Sequence, residues 1–146
     1  MAQVHILIVE DSESLTNALR VFFKEHGYRV STAATVAAAT ERAGMGVGGS
    51  KIQSRGENAA ESASALAPVD IMLLDLTLPD GEGLAVLANL RDMGRTPPRV
   101  TIALTGYEDN ATRDRCLAAG CQKVLTKPIP LRRWLATVQA VAADLH

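Results

Sequence analysis

The apolar residues of this chain fall into short unbroken runs, separated by longer stretches with helical spacing. Residues 71–74, Ile-Met-Leu-Leu, are consecutive apolar positions with turn formers after them at Pro79, Asp80 and Gly81. That is the pattern of a strand buried on both faces, as in a parallel sheet. Residues 4–9 form a second such run, and 28–33, 99–104 and 122–126 read as three more strands. Between them, Leu15, Ala18, Leu19 and Phe22 recur at helical spacing, with Ser12 or Ser14 available as N-cap and Gly27 placed to end the helix. Thr35 caps a helix over 36–43, and Leu84, Leu87, Leu90 and Met93 form a stripe closed by Gly94. A helix runs over 110–119 and stops at Gly120. The last opens at Pro130 and shows Leu131, Leu135, Val138, Ala142 and Leu145 on one face. Five strand–helix units in alternation predict right-handed crossovers and a parallel five-stranded sheet covered on both sides, a three-layer doubly wound (βα)5 fold of the α/β class.

The pattern breaks at residues 44–67. Gly44, Gly46, Gly48, Gly49 and Gly56 fall among Ser, Lys, Arg and Gln, and an alanine-rich stretch follows. A helix of about 12 residues with loops of about 2–6 at each end would join the second strand to the third, so most of this stretch is surplus and reads as an insertion between the second helix and the third strand. Its first half has the composition of a flexible loop, and 58–66 has helix propensity for an extra turn or two.

With 146 residues, 47% of them hydrophobic, the chain is sized for one core and one domain, taken as 1–146 with the insertion inside it. Fifteen basic and sixteen acidic residues give a net charge of −1 and no electrostatic footprint for nucleic acid or an anionic membrane. No apolar run reaches the length of a membrane span, and the N-terminus lacks the features of a signal peptide, so a cytoplasmic location is expected. Cys116 and Cys121 match neither a redox pair nor a zinc framework and read as packing thiols. His5, His26 and His146 show no metal spacing and read as surface or packing residues, and Trp134 as a partly exposed packing residue.

In open α/β sheets ligands bind outside the carboxyl ends of the strands. Glu10 and Asp11 end the first strand, Asp75 the third, Thr105 the fourth and Lys127 the fifth. Alone, Glu10 and Asp11 read as acids at a helix N-terminus, Asp75 as an N-cap, Lys127 as a solvated lysine and Thr105 as a common strand-ending residue. Together they form a constellation. Three carboxylates brought close repel one another unless a hard cation sits among them, and Mg2+ takes one or two carboxylates plus waters and phosphate oxygens. A carboxylate can act as nucleophile toward a phosphoryl group, and an ammonium and a hydroxyl can stabilise the charge spread over its oxygens.

Four segments in this order carry a resemblance: Ile8-Val9-Glu10-Asp11, residues 73–81 (Leu-Leu-Asp-Leu-Thr-Leu-Pro-Asp-Gly), Ala103-Leu104-Thr105-Gly106, and Leu125-Thr126-Lys127-Pro128. On them the chain resembles the receiver domain of two-component response regulators over essentially its whole length apart from the insertion. The resemblance implies the flavodoxin-like strand order 2-1-3-4-5 and phosphorylation on Asp75 by a histidine kinase or histidine phosphotransfer protein. It implies Mg2+ held by Asp11, Asp75 and the backbone carbonyl of Thr77, with Glu10 on a metal-bound water. Lys127 would pair with the phosphoryl group, Thr105 would turn inward to it, and the Lys127–Pro128 bond would be cis. Such a chain is a phosphoacceptor with slow self-dephosphorylation rather than an enzyme, switching an unspecified output partner as a stand-alone regulator or as the receiver of a hybrid kinase. The sequence departs from the family at Val124, where most receivers carry a switching aromatic. Tyr107, next to Thr105 and Gly106, is the candidate replacement. Two other readings are an aspartyl-phosphate hydrolase of haloacid dehalogenase type, which would need an acid at the place of Thr77, and a receiver-like interaction module that is never phosphorylated.

Overall fold

The computed structural model describes residues 3–43, 68–106 and 109–145. The inserted stretch 44–67 and Tyr107 lie outside the described residues. In chain order the elements are β1 (His5–Val9), α1 (Glu13–Glu25), β2 (Arg29–Ala33), α2 (Val36–Ala43), β3 (Ile71–Asp75), β4 (Thr77–Leu78), β5 (Gly81–Glu82), α3 (Ala85–Asp92), β6 (Val100–Thr105), α4 (Asn110–Ala119), β7 (Lys123–Thr126) and α5 (Leu131–Ala143). The five long strands form one sheet in the order β2-β1-β3-β6-β7. All its pairings are parallel. This is the order 2-1-3-4-5 once the small hairpin of β4 and β5 is set aside. Topology follows from connection: each parallel neighbour needs a crossover, and the helices supply it.

The three central strands β1, β3 and β6 are buried along their whole length, whereas the edge strands β2 and β7 are only partly so. Their side chains alternate between two cores, as the period of two requires. Leu7, Val9, Met72, Leu74 and Ala103 point to one face and pack with Val36 and Ala39 of α2, Val86, Leu87 and Leu90 of α3, and Cys116 of α4. Ile6, Ile8, Ile71, Leu73, Ile102 and Leu104 point to the other and pack with Leu19 and Phe23 of α1 and Trp134, Val138 and Val141 of α5. Among the described residues, two helices therefore cover one side and three the other.

Local signals explain most boundaries. Ser12 caps α1 by accepting from the Leu15 N–H, and Thr35 accepts from the Ala38 N–H at the start of α2. Gly120 ends α4 in the left-handed region, at φ 110°. Two expectations are corrected and a third is narrowed. Met93 and Leu131, assigned to apolar stripes, are each 50% exposed; Met93 is the C-cap of α3 and Leu131 the first residue of α5. Trp134 is buried in the core, so the inner face of α5 is Trp134, Thr137, Val138, Val141 and Ala142. Of the surface and packing roles open to it, His5 takes packing: it is buried, with Nδ1 3.0 Å from the Pro68 carbonyl and Nε2 2.7 Å from the Ser31 hydroxyl. Since a carbonyl only accepts, Nδ1–H is the donor there, and the ring ties β1 and β2 to the chain entering β3. Among the described residues no helix is long and apolar enough to cross a membrane.

Candidate functional site

The carboxyl ends of β1, β3, β6 and β7 meet at one edge of the sheet. Register explains why: Val9 pairs with Leu74, Asp75 with Leu104, and Thr105 with Thr126. The residue following Val9 is Glu10 and the one following Thr126 is Lys127, so the strand ends deliver these side chains to a common level.

Glu10 and Asp75 are buried, and Asp11 is exposed above them. One carboxylate oxygen from each of the three lies within 4.8 Å of the others. Lys127 Nζ bridges the two buried acids, donating to Asp75 Oδ2 at 2.9 Å and to Glu10 Oε1 at 3.1 Å. The remaining oxygens are also engaged: Asp75 Oδ1 accepts from the Thr77 N–H at 3.0 Å and Glu10 Oε2 from the Ser12 N–H at 3.2 Å. Burial, and after it the adjoining Asp75 carboxyl, raises the Glu10 carboxyl above its ordinary value. Burial pushes the Lys127 ammonium down, but its hydrogen bonds to Asp75 and Glu10 outweigh this and hold it above its ordinary value.

Three carboxylates against one ammonium leave the cluster net negative. Every donor atom in it is a carboxylate oxygen, with neither sulfur nor imidazole, and that set suits a hard divalent cation rather than a thiophilic or imidazole-seeking one. The residues present therefore fit a site for a hard divalent cation.

Thr105 is buried at the end of β6, and its carbonyl accepts from the Lys127 N–H at 2.8 Å. Gly106 is exposed beyond it, and the Lys127–Pro128 peptide bond is cis. Val124 is half-buried on the edge strand β7 and packs against the core on the α2–α4 side. The structure thus brings Glu10, Asp11, Asp75, Thr77 and Lys127 together, with Thr105 and Gly106 at the neighbouring strand end.

Two features of the site were not anticipated. Residues 77–82 form a two-stranded hairpin, in which Thr77 pairs with Glu82 and Leu78 with Gly81. Behind it, the Gly83 N–H donates to the Leu76 carbonyl at 2.8 Å, and a Cβ added to Gly83 would stand 2.0 Å from the Asp75 carbonyl oxygen. The backbone of residue 83 therefore lies directly against that of Asp75, and only a glycine fits. The sequence signal was the run Pro79, Asp80, Gly81, read there only as a turn.

A parallel (βα)5 sheet with an acid cluster and a lysine at its carboxyl edge defines a class, and the comparisons with known proteins agree with it. The family model of the response regulator receiver domain matches residues 45–139. The transcriptional regulatory protein KdpE of Mycobacterium tuberculosis is 30% identical over 135 residues, which is 92% of this chain and 49% of that protein. The non-phosphorylated HemR receiver domain from Leptospira biflexa superposes with a TM-score of 0.70 at 25% identity, covering 95% of this chain and 94% of that one. The chemotaxis protein CheY4 of Vibrio cholerae superposes at 0.72 with 22% identity, covering 96% and 99%. The chain belongs to the response regulator receiver domain family. It spans about half the length of the curated relatives it matches. The matched span begins after Glu10 and Asp11, so the presence of these two acids at the site rests on the fold and not on that match.

Proposed function

We propose that this receiver domain is a phosphoacceptor switch, with Asp75 as the residue that takes the phosphoryl group from a histidine kinase or histidine phosphotransfer protein. The observation that carries the reading is Asp75 itself. It is a buried carboxylate at the strand exit, with an ammonium on one oxygen and two further carboxylates within reach. A buried acid is costly unless it is paired, and a cluster of three is costlier still, so the arrangement points to a ligand that the acids are built to hold.

In the reaction, an Asp75 carboxylate oxygen attacks the phosphorus of a phosphohistidine. The new P–O bond makes an acyl phosphate as the P–N bond breaks, and the leaving imidazole takes the electron pair and then a proton. Asp11 and Asp75, with the Thr77 carbonyl, would hold Mg2+, and Glu10 would bind through water. When bound, the metal would neutralise charge on the phosphoryl oxygens and on the acids around them. Lys127 exchanges its contact with Asp75 Oδ2 for one with a phosphoryl oxygen, and its charge stays in place to stabilise the product. The Thr105 hydroxyl supplies a further donor from β6. Water later attacks the same phosphorus, the P–O bond to Asp75 breaks, and inorganic phosphate leaves with the carboxylate restored, so the phosphoryl state is transient and the domain serves as a signal rather than a catalyst.

The switch reaches a partner through movement at Thr105 and Gly106, since a phosphoryl group brings about −1.5 to −2 charges that draw donors inward. The test is addition of beryllofluoride with Mg2+, read as amide chemical-shift changes. They should cluster at Asp75, Thr105, Gly106 and Lys127. Changes confined elsewhere, or none with Mg2+ saturating, would contradict the proposal.

A further inference from the structure

The turn of the β4–β5 hairpin makes a contact that the phosphoacceptor chemistry does not use. Asp80 Oδ1 accepts from the Val36 N–H at 2.7 Å, and Oδ2 accepts from the Ala37 N–H at 3.1 Å, across a separation of 44 residues from Val36. These are two of the four N–H groups that the first turn of a helix leaves without a partner. Both oxygens of one carboxylate are committed to α2, and the helix dipole favours a negative charge there. The same hydrogen bonds lower the Asp80 pKa, led by that from Val36.

α2 does not depend on Asp80 for a cap of its own, because Thr35 already accepts from the Ala38 N–H at 3.1 Å. What Asp80 adds is a strap between two elements. Its hairpin begins at Thr77, whose N–H holds Asp75 Oδ1, and Leu78 shares a core cluster with Val36. On the opposite side the hairpin is joined to α4 by the Glu82–Arg115 pair, but those side chains are 48% and 53% exposed, and such surface pairs fix geometry weakly. Asp80 is exposed too, but both its bonds end on backbone N–H groups held in a helix rather than on a flexible side chain, so of these two polar contacts the Asp80 strap holds the hairpin turn more firmly.

We propose that Asp80 is a positioning residue for the phosphoacceptor site, holding the Thr77 backbone in place against Asp75 by pinning the hairpin turn to the N-terminus of α2. The inference rests on the reading of Asp75 and its neighbours as a Mg2+-dependent phosphoacceptor site. Nothing in it requires Asp80 to touch the metal or the phosphoryl group.

The experiment measures Mg2+ binding by calorimetry, and labelling by acetyl phosphate, on the full chain and three variants. Asp80→Ala should weaken Mg2+ binding by about tenfold, the low end of the loss seen when a group that orients a metal ligand is removed. Its labelling should slow at low Mg2+ and return toward the unmodified rate at saturating Mg2+. Asp80→Asn, which keeps an acceptor oxygen, should recover part of the affinity, and it carries the test if the alanine variant does not fold. Thr35→Ala removes a cap from the same helix without touching the hairpin, and should leave Mg2+ affinity unchanged. Unchanged affinity in Asp80→Ala, or an equal loss in Thr35→Ala, would reduce Asp80 to a helix cap and overturn the proposal. An unmodified chain that neither binds Mg2+ nor accepts a phosphoryl group would overturn the phosphoacceptor reading itself.

Discussion

Replacing Lys127 by Met keeps the aliphatic stem but removes the ammonium that bridges Asp75 and Glu10. Two charge-assisted hydrogen bonds are lost, at 2.9 and 3.1 Å, and the two acids they served are each only 5% exposed. Such bonds contribute about 1.5–3 kcal/mol each, so the gross loss is about 3–6 kcal/mol. The Lys127 side chain is itself 31% exposed, and Glu10 can relieve the repulsion by taking up a proton, so a net loss near the lower end is expected at neutral pH. A loss of about 3 kcal/mol corresponds to a fall in melting temperature of about 6–12 °C for a protein of this size. The pH dependence has a definite sign. The folded Glu10 pKa is raised, so its contribution to stability is fully present below the unfolded value and is lost as pH rises through the folded one. Without Lys127 that folded value rises further, so the variant should differ least from the unmodified protein near pH 4 and most at pH 8. Mg2+ should act in the opposite direction. With the ammonium gone, a divalent cation no longer competes with it for Asp75 and Glu10, and it should bind the variant more tightly and restore much of the lost stability. Thermal melts from pH 4 to pH 8, with and without Mg2+, test all of this. A variant as stable as the parent at pH 8 without Mg2+, or one that binds Mg2+ more weakly, would refute the reasoning.

Gly83→Ala should destabilise by about 1–3 kcal/mol, the cost of forcing an extra carbon into a packed space, since its Cβ would meet the Asp75 carbonyl at 2.0 Å; a thermal melt and the rate of acetyl phosphate labelling should both fall. Cys121, whose thiol burial pushes up to about 12, and Cys116, also raised by burial, should resist a thiol reagent at pH 8 in the folded chain and react promptly in denaturant; fast labelling of the folded protein would show that this part of the core opens.

Much of the sheet was legible because its signals are local and strong. A strand buried on both faces reads as an apolar run, and β1, β3 and β6 are such strands. The α4 bounds were readable from the polar start at Asn110 and the glycine stop at Gly120. What was missed depends on partners far along the chain. Two-residue strands carry no periodicity, so the Thr77–Glu82 pairing could not be seen, and Asp80 gave no sign that its carboxylate would reach Val36. That His5 takes the packing role rather than the surface one is likewise set by Ser31 and Pro68, neither of which is its neighbour in sequence. The stripe assigned to α5 shared Val138 and Ala142 with the buried face but was rotated toward Leu131 instead of Trp134. Helical spacing alone does not say which edge of a broad apolar face meets the sheet. At the site, the residues were identified from strand ends and family resemblance together. The ammonium bridge between Asp75 and Glu10 needed the register to become visible.

The most direct test of the central claim is intact mass spectrometry after incubation with acetyl phosphate and Mg2+. The unmodified chain should gain one phosphoryl group, chelation of the metal should abolish the gain, and Asp75→Asn should gain none. Equal labelling of Asp75→Asn, or labelling indifferent to chelation, would contradict the assignment of Asp75 as the phosphoacceptor.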